Sequence, residues 1–174
     1  MKRRNQNVTS IVTAAMIAAL YVVLSFFIST FGLASGAIQI RISEALTVLP
    51  VFTASAVPGV TIGCLLFNIL SGAAMPDIIF GTIATFIGAI FTRDIACRFK
   101  NKKWMPYLLP IPPIFANACI IPWVLKIAYG LGDAYWYLFV TIGLGEIISC
   151  GVLGLILYFT LKPFRQILFR DMNI

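Results

Sequence analysis

The sequence predicts an all-α membrane protein, a bundle of six transmembrane helices with both termini on the cytoplasmic side. Three observations carry that expectation. Of the 174 residues, 60% are hydrophobic and only 11% charged, and the mean hydropathy is +0.98; a soluble domain has about a quarter of its residues charged. Apolar tracts recur from residue 8 to residue 161, on the scale of the roughly 20 residues that cross hydrocarbon as a helix. Of the 13 Lys and Arg, all but Arg41 and Lys126 fall in three clusters, at 2–4, 93–103 and 162–170. Short basic segments beside apolar spans are the positive-inside signal of cytoplasmic loops.

The elements follow in order within a single membrane domain, 1–174. The first span covers about 8–31; its apolar run exceeds the hydrophobic region of a leader peptide, so a retained helix is expected. Residues 32–42, "GLASGAIQIRI", form a loop with a brief period-two pattern compatible with extended chain. Ser43 is a candidate N-cap, with Glu44 in the first turn where the helix dipole favours an acid. The run 44–72 exceeds one ordinary span. Because the residue before a proline disfavours helix, the division falls at Val57–Pro58 and gives helices at 43–57 and 58–72. "GAAMPD" is a turn, and Pro76 opens a fourth helix, 76–96, in the proline-tolerant first position. A basic loop precedes the fifth, 106–128, which prolines at 106, 110, 112, 113 and 122 should bend. The sixth, 134–161, is glycine-rich and leads into "LKPFRQILFR", which reads as an interfacial helix. This division puts all three basic clusters on one side; merging 44–72 into one span would send the 93–103 loop outward.

Several function classes drop out. The net charge of +7 sits beside apolar spans, which speaks for topology and against nucleic acid. There is no histidine, no GxxxxGK[ST] phosphate loop and no CxxC pair, so no metal site, cofactor or ATPase of that class is expected. Cys64, Cys97, Cys119 and Cys150 read as packing residues.

The polar residues that remain are the candidate site. Arg41, Glu44 and Asp77 are placed at the outer rim by this topology, where an Arg41–Glu44 interfacial ion pair is the plainer reading. Glu146 lies about a dozen residues into the sixth helix, about 18 Å from its outer end at 1.5 Å per residue. Asn117 and Thr85 lie at depth in their own helices. Intramembrane ionisable residues face a bundle interior or a wet cavity, and function is the default reading; a structural glutamate bonded to a neighbouring helix is the alternative. Asn68 is either interhelical glue or a ligand contact. Trp123 and Trp136 are either an interfacial belt or aromatic walls for a flat ligand. In the first helix, Ala14/Ala18 and Ala15/Ala19 form two overlapping small-xxx-small registers that admit another helix.

"RISEALTVLPVFTASAVPGVTIGCLLFNIL", "DIIFGTIATFIGAI", "PPIFANA" and "GLGE" together resemble the QueT family, substrate-binding S components of energy-coupling factor (ECF) transporters for queuosine precursors. The resemblance covers nearly the whole chain, and "RISEALTVLP" is its most specific piece. It implies a plasma-membrane, multi-pass protein that binds its ligand near the outer face through the first loop and helices four to six. It also implies docking onto a membrane T component driven by two cytosolic ATPase subunits, and no catalysis. The ligands so implied, queuine and its precursors, are 7-deazaguanines with an N1–H and an exocyclic amine on one edge. A carboxylate accepts both bonds at once, and Glu146 is the first choice for that role, with Asn117 on the adjacent carbonyl. Glu44 or Asp77 would meet an amine on the 7-substituent. Alternatives are another vitamin-like ligand such as a cobalamin precursor, a standalone secondary carrier, and an intramembrane enzyme built on Glu44, Asp77 and Glu146.

Overall fold

The computed structural model describes residues 2–32, 41–100, 102–130, 132 and 134–168. Among them the chain is all helical. It comprises α1 (Lys2–Ser29), a 3-10 helix (Ile42–Val51), α2 (Ala56–Leu70), α3 (Met75–Arg98), α4 (Met105–Leu108) and α5 (Ile111–Tyr129). These are followed by α6 (Tyr135–Glu146), a π-helical segment (Ile147–Leu153), α7 (Gly154–Leu161), a turn of 3-10 helix (Lys162–Phe164) and α8 (Arg165–Leu168). Four stretches are long and apolar enough to cross a membrane: Asn7–Ser29, Met75–Arg98, Met105–Tyr129 and Tyr135–Phe164. Ile42–Val51 and Ala56–Leu70 are apolar but shorter.

The bundle is apolar outside and holds a set of polar side chains within an apolar core. Large hydrophobics such as Ile11, Leu20, Phe27, Phe91 and Ile156 are exposed, whereas Glu44, Thr47, Asn68, Thr85, Thr92, Asn117, Glu146 and Ser149 are buried. That distribution suits a hydrocarbon solvent, in which polar groups must find their partners within the protein.

At the centre runs the Ile42–Val51 helix, buried from Ser43 to Val51 and packed by α1, α2, α3, α7 and the π segment. Its 3-10 winding rises about 2.0 Å per residue, so ten residues reach about 20 Å where an α-helix would reach about 15 Å. The helix expected at 43–57 therefore ends early. Pro50 has no N–H to give to the ladder and sits next to its last residue. The break expected at Pro58 is absent: Pro58 occupies the first turn of α2, where a missing N–H leaves nothing unpaired. Ser43 does not cap; Arg41 holds the N-cap position without a side-chain bond, and the Ser43 hydroxyl pairs with that of Ser25 at 2.7 Å.

α2 lies alongside α1 in the same direction, since Gly59 meets Ala14 and Ile17, Gly63 meets Ala18 and Tyr21, and Phe67 meets Phe26 edge-on at 5.2 Å. A Cβ on Gly63 would stand 2.6 Å from the Tyr21 Cβ and 3.0 Å from the Ala18 carbonyl, so only glycine allows this approach. Ala18 is accordingly buried and Ala14 half-buried, while Ala15 and Ala19 stay exposed. α5 packs on α3 in the same manner: a Cβ on Gly88 would stand 2.7 Å from the Cα of Pro113. Thr92 donates to the Leu109 carbonyl at 3.0 Å, and Gly130, in the left-handed region at φ 63°, closes α5 by donating its N–H to Leu125.

The helix expected at 134–161 runs through from Tyr135 to Phe164, with a π-helical segment inside it at Ile147–Leu153. Its wider π turn directly follows Glu146 and turns Ser149 and Cys150 into the interior, where both are buried. Such π segments recur at functional sites. The "GLASGAIQIRI" loop lies, for 33–40, outside the described residues.

Candidate functional site

Five elements converge on Glu44. The start of the 3-10 helix delivers its carboxylate, fully enclosed. Tyr21 from α1 donates its hydroxyl to Oε1, and Thr85 from α3 donates to the same oxygen at 3.1 Å. Glu146, at the end of α6, faces it, and Cys150 from the π segment donates to Glu146 Oε2 at 3.2 Å. The Cys150 sulfur also lies 3.5 Å from the Glu44 carbonyl and 3.6 Å from the Thr47 hydroxyl. The ligating atoms of Glu44, Glu146 and Cys150 all lie within 4.8 Å of one another. Asn117 of α5 stands beside both carboxylates.

Glu44 is therefore not a rim residue. Its neighbour Tyr21 is eight residues before the end of α1, about 12 Å along the helix axis, and it shares a level with Glu146. The expected Arg41–Glu44 interfacial pair does not form; a buried carboxylate held by the Tyr21 and Thr85 hydroxyls takes its place.

Toward the mouth lies a second group. Tyr129 donates to Asp77 Oδ2 at 3.2 Å and accepts the Ala74 N–H at 3.2 Å, tying the start of α3 to the end of α5. Asn68 reaches the Asp77 carbonyl at 3.4 Å and the Cys64 sulfur at 3.6 Å. Thr85 lies 3.4 Å from that same sulfur, so the two groups share one polar seam.

Four buried polar atoms have no hydrogen-bond partner among the described residues: Glu44 Oε2, Asp77 Oδ1 and Asn117 Nδ2 in this seam, and Ser149 Oγ in the π segment. An unpaired buried polar atom costs about 1–3 kcal/mol, so three in one seam leave it open to further polar contacts. Two facing carboxylates in an apolar bundle call for hydrogen-bond donors or a cation between them. Together with Cys150 they also form the one carboxylate–thiol set among the described residues close enough to share a metal ion.

Of the residues read from sequence as ligand contacts, Glu44, Thr85, Asn117 and Glu146 meet in one cluster, and Asn68 and Asp77 adjoin it. Trp123 and Trp136 do not. Both are exposed, in a ring chain with Tyr135, and Trp123 borders a lateral apolar hollow of about 360 Å³ with Phe80 and Ile127. Tyr21 and Cys150 were missed. A lone tyrosine or cysteine in an apolar helix carries no pattern of its own, and only the approach of α2 and the π turn aim these two at the carboxylates.

Comparison with known proteins bears on the same bundle. A curated relative from Lactococcus lactis subsp. cremoris (strain MG1363), named "Queuosine precursor transporter QueT", is 39% identical over 91 residues, which is 52% of this chain and 53% of that protein. The match thus spans about half the length of the relative. No solved structure matches the chain. The QueT transporter family matches residues 11–163, a range that contains every residue of the polar seam, and on that extent of agreement the chain belongs to the QueT transporter family.

Proposed function

We propose that this chain is the substrate-binding S component of an ECF-type importer, taking a queuosine precursor of the 7-deazaguanine class at its outer face. Family membership and the relative's name support the transport of such a precursor. The observation that carries the ligand class is the complement of orphaned atoms around Glu146. Glu44 Oε2 and Asn117 Nδ2 make no hydrogen bond of good geometry, and Asn117 lies within interacting distance of both carboxylates. A guanine-like edge offers two donors, N1–H and the exocyclic amine, beside one carbonyl acceptor. Glu146 takes the donor pair, the Asn117 amide takes the carbonyl, and Glu44 or Asp77 meets an amine on the 7-substituent. Adenine, with one exocyclic amine beside a ring-nitrogen acceptor, cannot give Glu146 two adjacent donors.

The test is equilibrium binding to the purified protein. It should prefer 7-deazaguanines to adenine, and Glu146→Gln should weaken binding by more than about tenfold, the scale of a lost charge-assisted bond. Unchanged affinity in a folded Glu146→Gln protein removes Glu146 from the site.

The same reading places the protein in the plasma membrane with six crossings. The Ile42–Val51 helix and α2 act as two short ones, and the termini and the three basic clusters are cytoplasmic, as the positive-inside rule favours. Without a phosphate loop the chain needs partners to use ATP, here a T component and two ATPase subunits. Ala15 and Ala19, exposed on α1 while Ala14 and Ala18 face α2, are the strip on which a T-component helix can approach. Ala15→Trp should abolish uptake by the reconstituted complex and leave ligand binding by the isolated protein intact. Full uptake by both Ala15→Trp and Ala19→Trp would remove the docking strip.

A further inference from the structure

We infer that the basic cavity at the far end of the bundle is a binding site for the phosphate headgroup of an anionic phospholipid. The inference rests on the protein being embedded in a bilayer, not on the identity of the imported ligand. The cavity has a volume of about 300 Å³ and is lined by Lys100, Lys102, Lys103, Lys162 and Arg165, and none of its described lining residues is acidic. Its inner wall includes Phe52 and Tyr158, stacked at 5.5 Å, with the Lys162 ammonium 6.0 Å from the centre of the Tyr158 ring.

Topology alone asks for cations near this end of the helices but does not ask them to converge. Here the α3–α4 loop and the segment after α7, some sixty residues apart in sequence, bring Lys102, Lys103, Lys162 and Arg165 to one hollow. Their mutual repulsion is offset when an anion fills it. Basic pockets between membrane helices are suited to acidic headgroups.

A lipid is favoured over a soluble anion by what borders the cavity. Exposed Phe159 packs edge-on against the lining residue Tyr158 at 5.2 Å, and exposed Tyr107 lies 6.4 Å from Phe159. A charged hollow rimmed by exposed aromatic rings fits a molecule with an anionic head and acyl chains beside it. The headgroup would also touch Val51 and Phe52, at the end of the 3-10 helix opposite Glu44, where Arg93 donates to the Pro50 carbonyl at 3.0 Å.

The experiment is native mass spectrometry of the full-length protein released from micelles doped with phosphatidylglycerol or phosphatidylcholine, with mapping of a photoactivatable phosphatidylglycerol. Phosphatidylglycerol should be retained at least about tenfold over phosphatidylcholine, and its crosslinks should fall within residues 100–107 and 158–165. Combining Lys102→Gln, Lys103→Gln, Lys162→Gln and Arg165→Gln should erase the preference. Combining Lys2→Gln, Arg3→Gln and Arg4→Gln, which lowers the charge elsewhere, should leave it. Equal loss in both variants, retention in the cavity variant, or crosslinks elsewhere would overturn the proposal. So would displacement of the lipid by inorganic phosphate or by an oligoglutamate peptide, which would assign the cavity to a soluble anion or to an acidic protein segment.

Discussion

Two carboxylates of this chain, Glu44 and Asp94, both accept bonds from polar side chains, and almost everything else about them differs. Glu44 is wholly enclosed, with Tyr21 and Thr85 on one oxygen and nothing on the other. Asp94 meets Arg98 one turn on at 2.7 Å, with the two side chains 41% and 71% exposed. Around Glu44 no water competes for the donors, so each bond made or lost counts at close to its full desolvated value. Around Asp94 solvent replaces whatever is removed. The same chemistry therefore weighs on the structure inside the bundle and is nearly inert on its exposed surface.

The sharpest way to break that contrast is Glu44→Ala. It strips the acceptor from Tyr21 and Thr85, leaving the buried Tyr21 hydroxyl without that bond at about 1–3 kcal/mol and Thr85 with only the Cys64 sulfur, a weaker acceptor. Thermal unfolding in detergent should fall strongly even without ligand. Unchanged stability would mean that Glu44 serves only the ligand. An intermediate effect is expected at Gly63→Ala. The added Cβ would stand 2.6 Å from that of Tyr21, and forcing α2 outward costs about 1–3 kcal/mol. Because Tyr21 is also a Glu44 partner, ligand affinity should fall with stability. Gly132→Ala, where a Cβ meets nothing within 4 Å, is the matched control. The smallest effect belongs to Arg98→Ala, which should leave the melting temperature and its salt dependence unchanged. A measurable loss there would show that the exposed surface is more ordered than its solvent access implies.

Much of the fold was legible because membrane helices announce themselves. The four long stretches emerge from apolar length alone, and Pro76 marks the start of α3 within a residue. The short central helix was harder. Proline statistics point to Pro58 as the break, yet a proline in a first turn breaks nothing, and it is Pro50 that ends the preceding segment. No local pattern distinguishes ten residues of 3-10 helix from the start of a longer α-helix. The difference comes from the depth that the segment has to span between α1, α2 and α3.

The site divides along the same line. Glu146, Asn117 and Thr85 stood out from sequence because a polar residue deep in an apolar helix is costly wherever the helix goes. That cost is a property of the residue and its flanks, and the sequence alone determined it. So too did the membrane setting, the missing phosphate loop and the three basic clusters. Which of these residues meet was decided only by the tertiary structure. Glu44 was read as a rim residue because it follows a loop, but the chain turns inward at once and carries it to the level of Glu146. The alanine registers of α1 were equivalent by spacing until Gly59 and Gly63 drew Ala14 and Ala18 against α2 and left Ala15 and Ala19 exposed. Trp123 and Trp136 lie outside the seam for the same reason. A helix has one face for each neighbour, and spacing along it does not say which neighbour comes closest; that is settled by where a glycine lets two backbones touch.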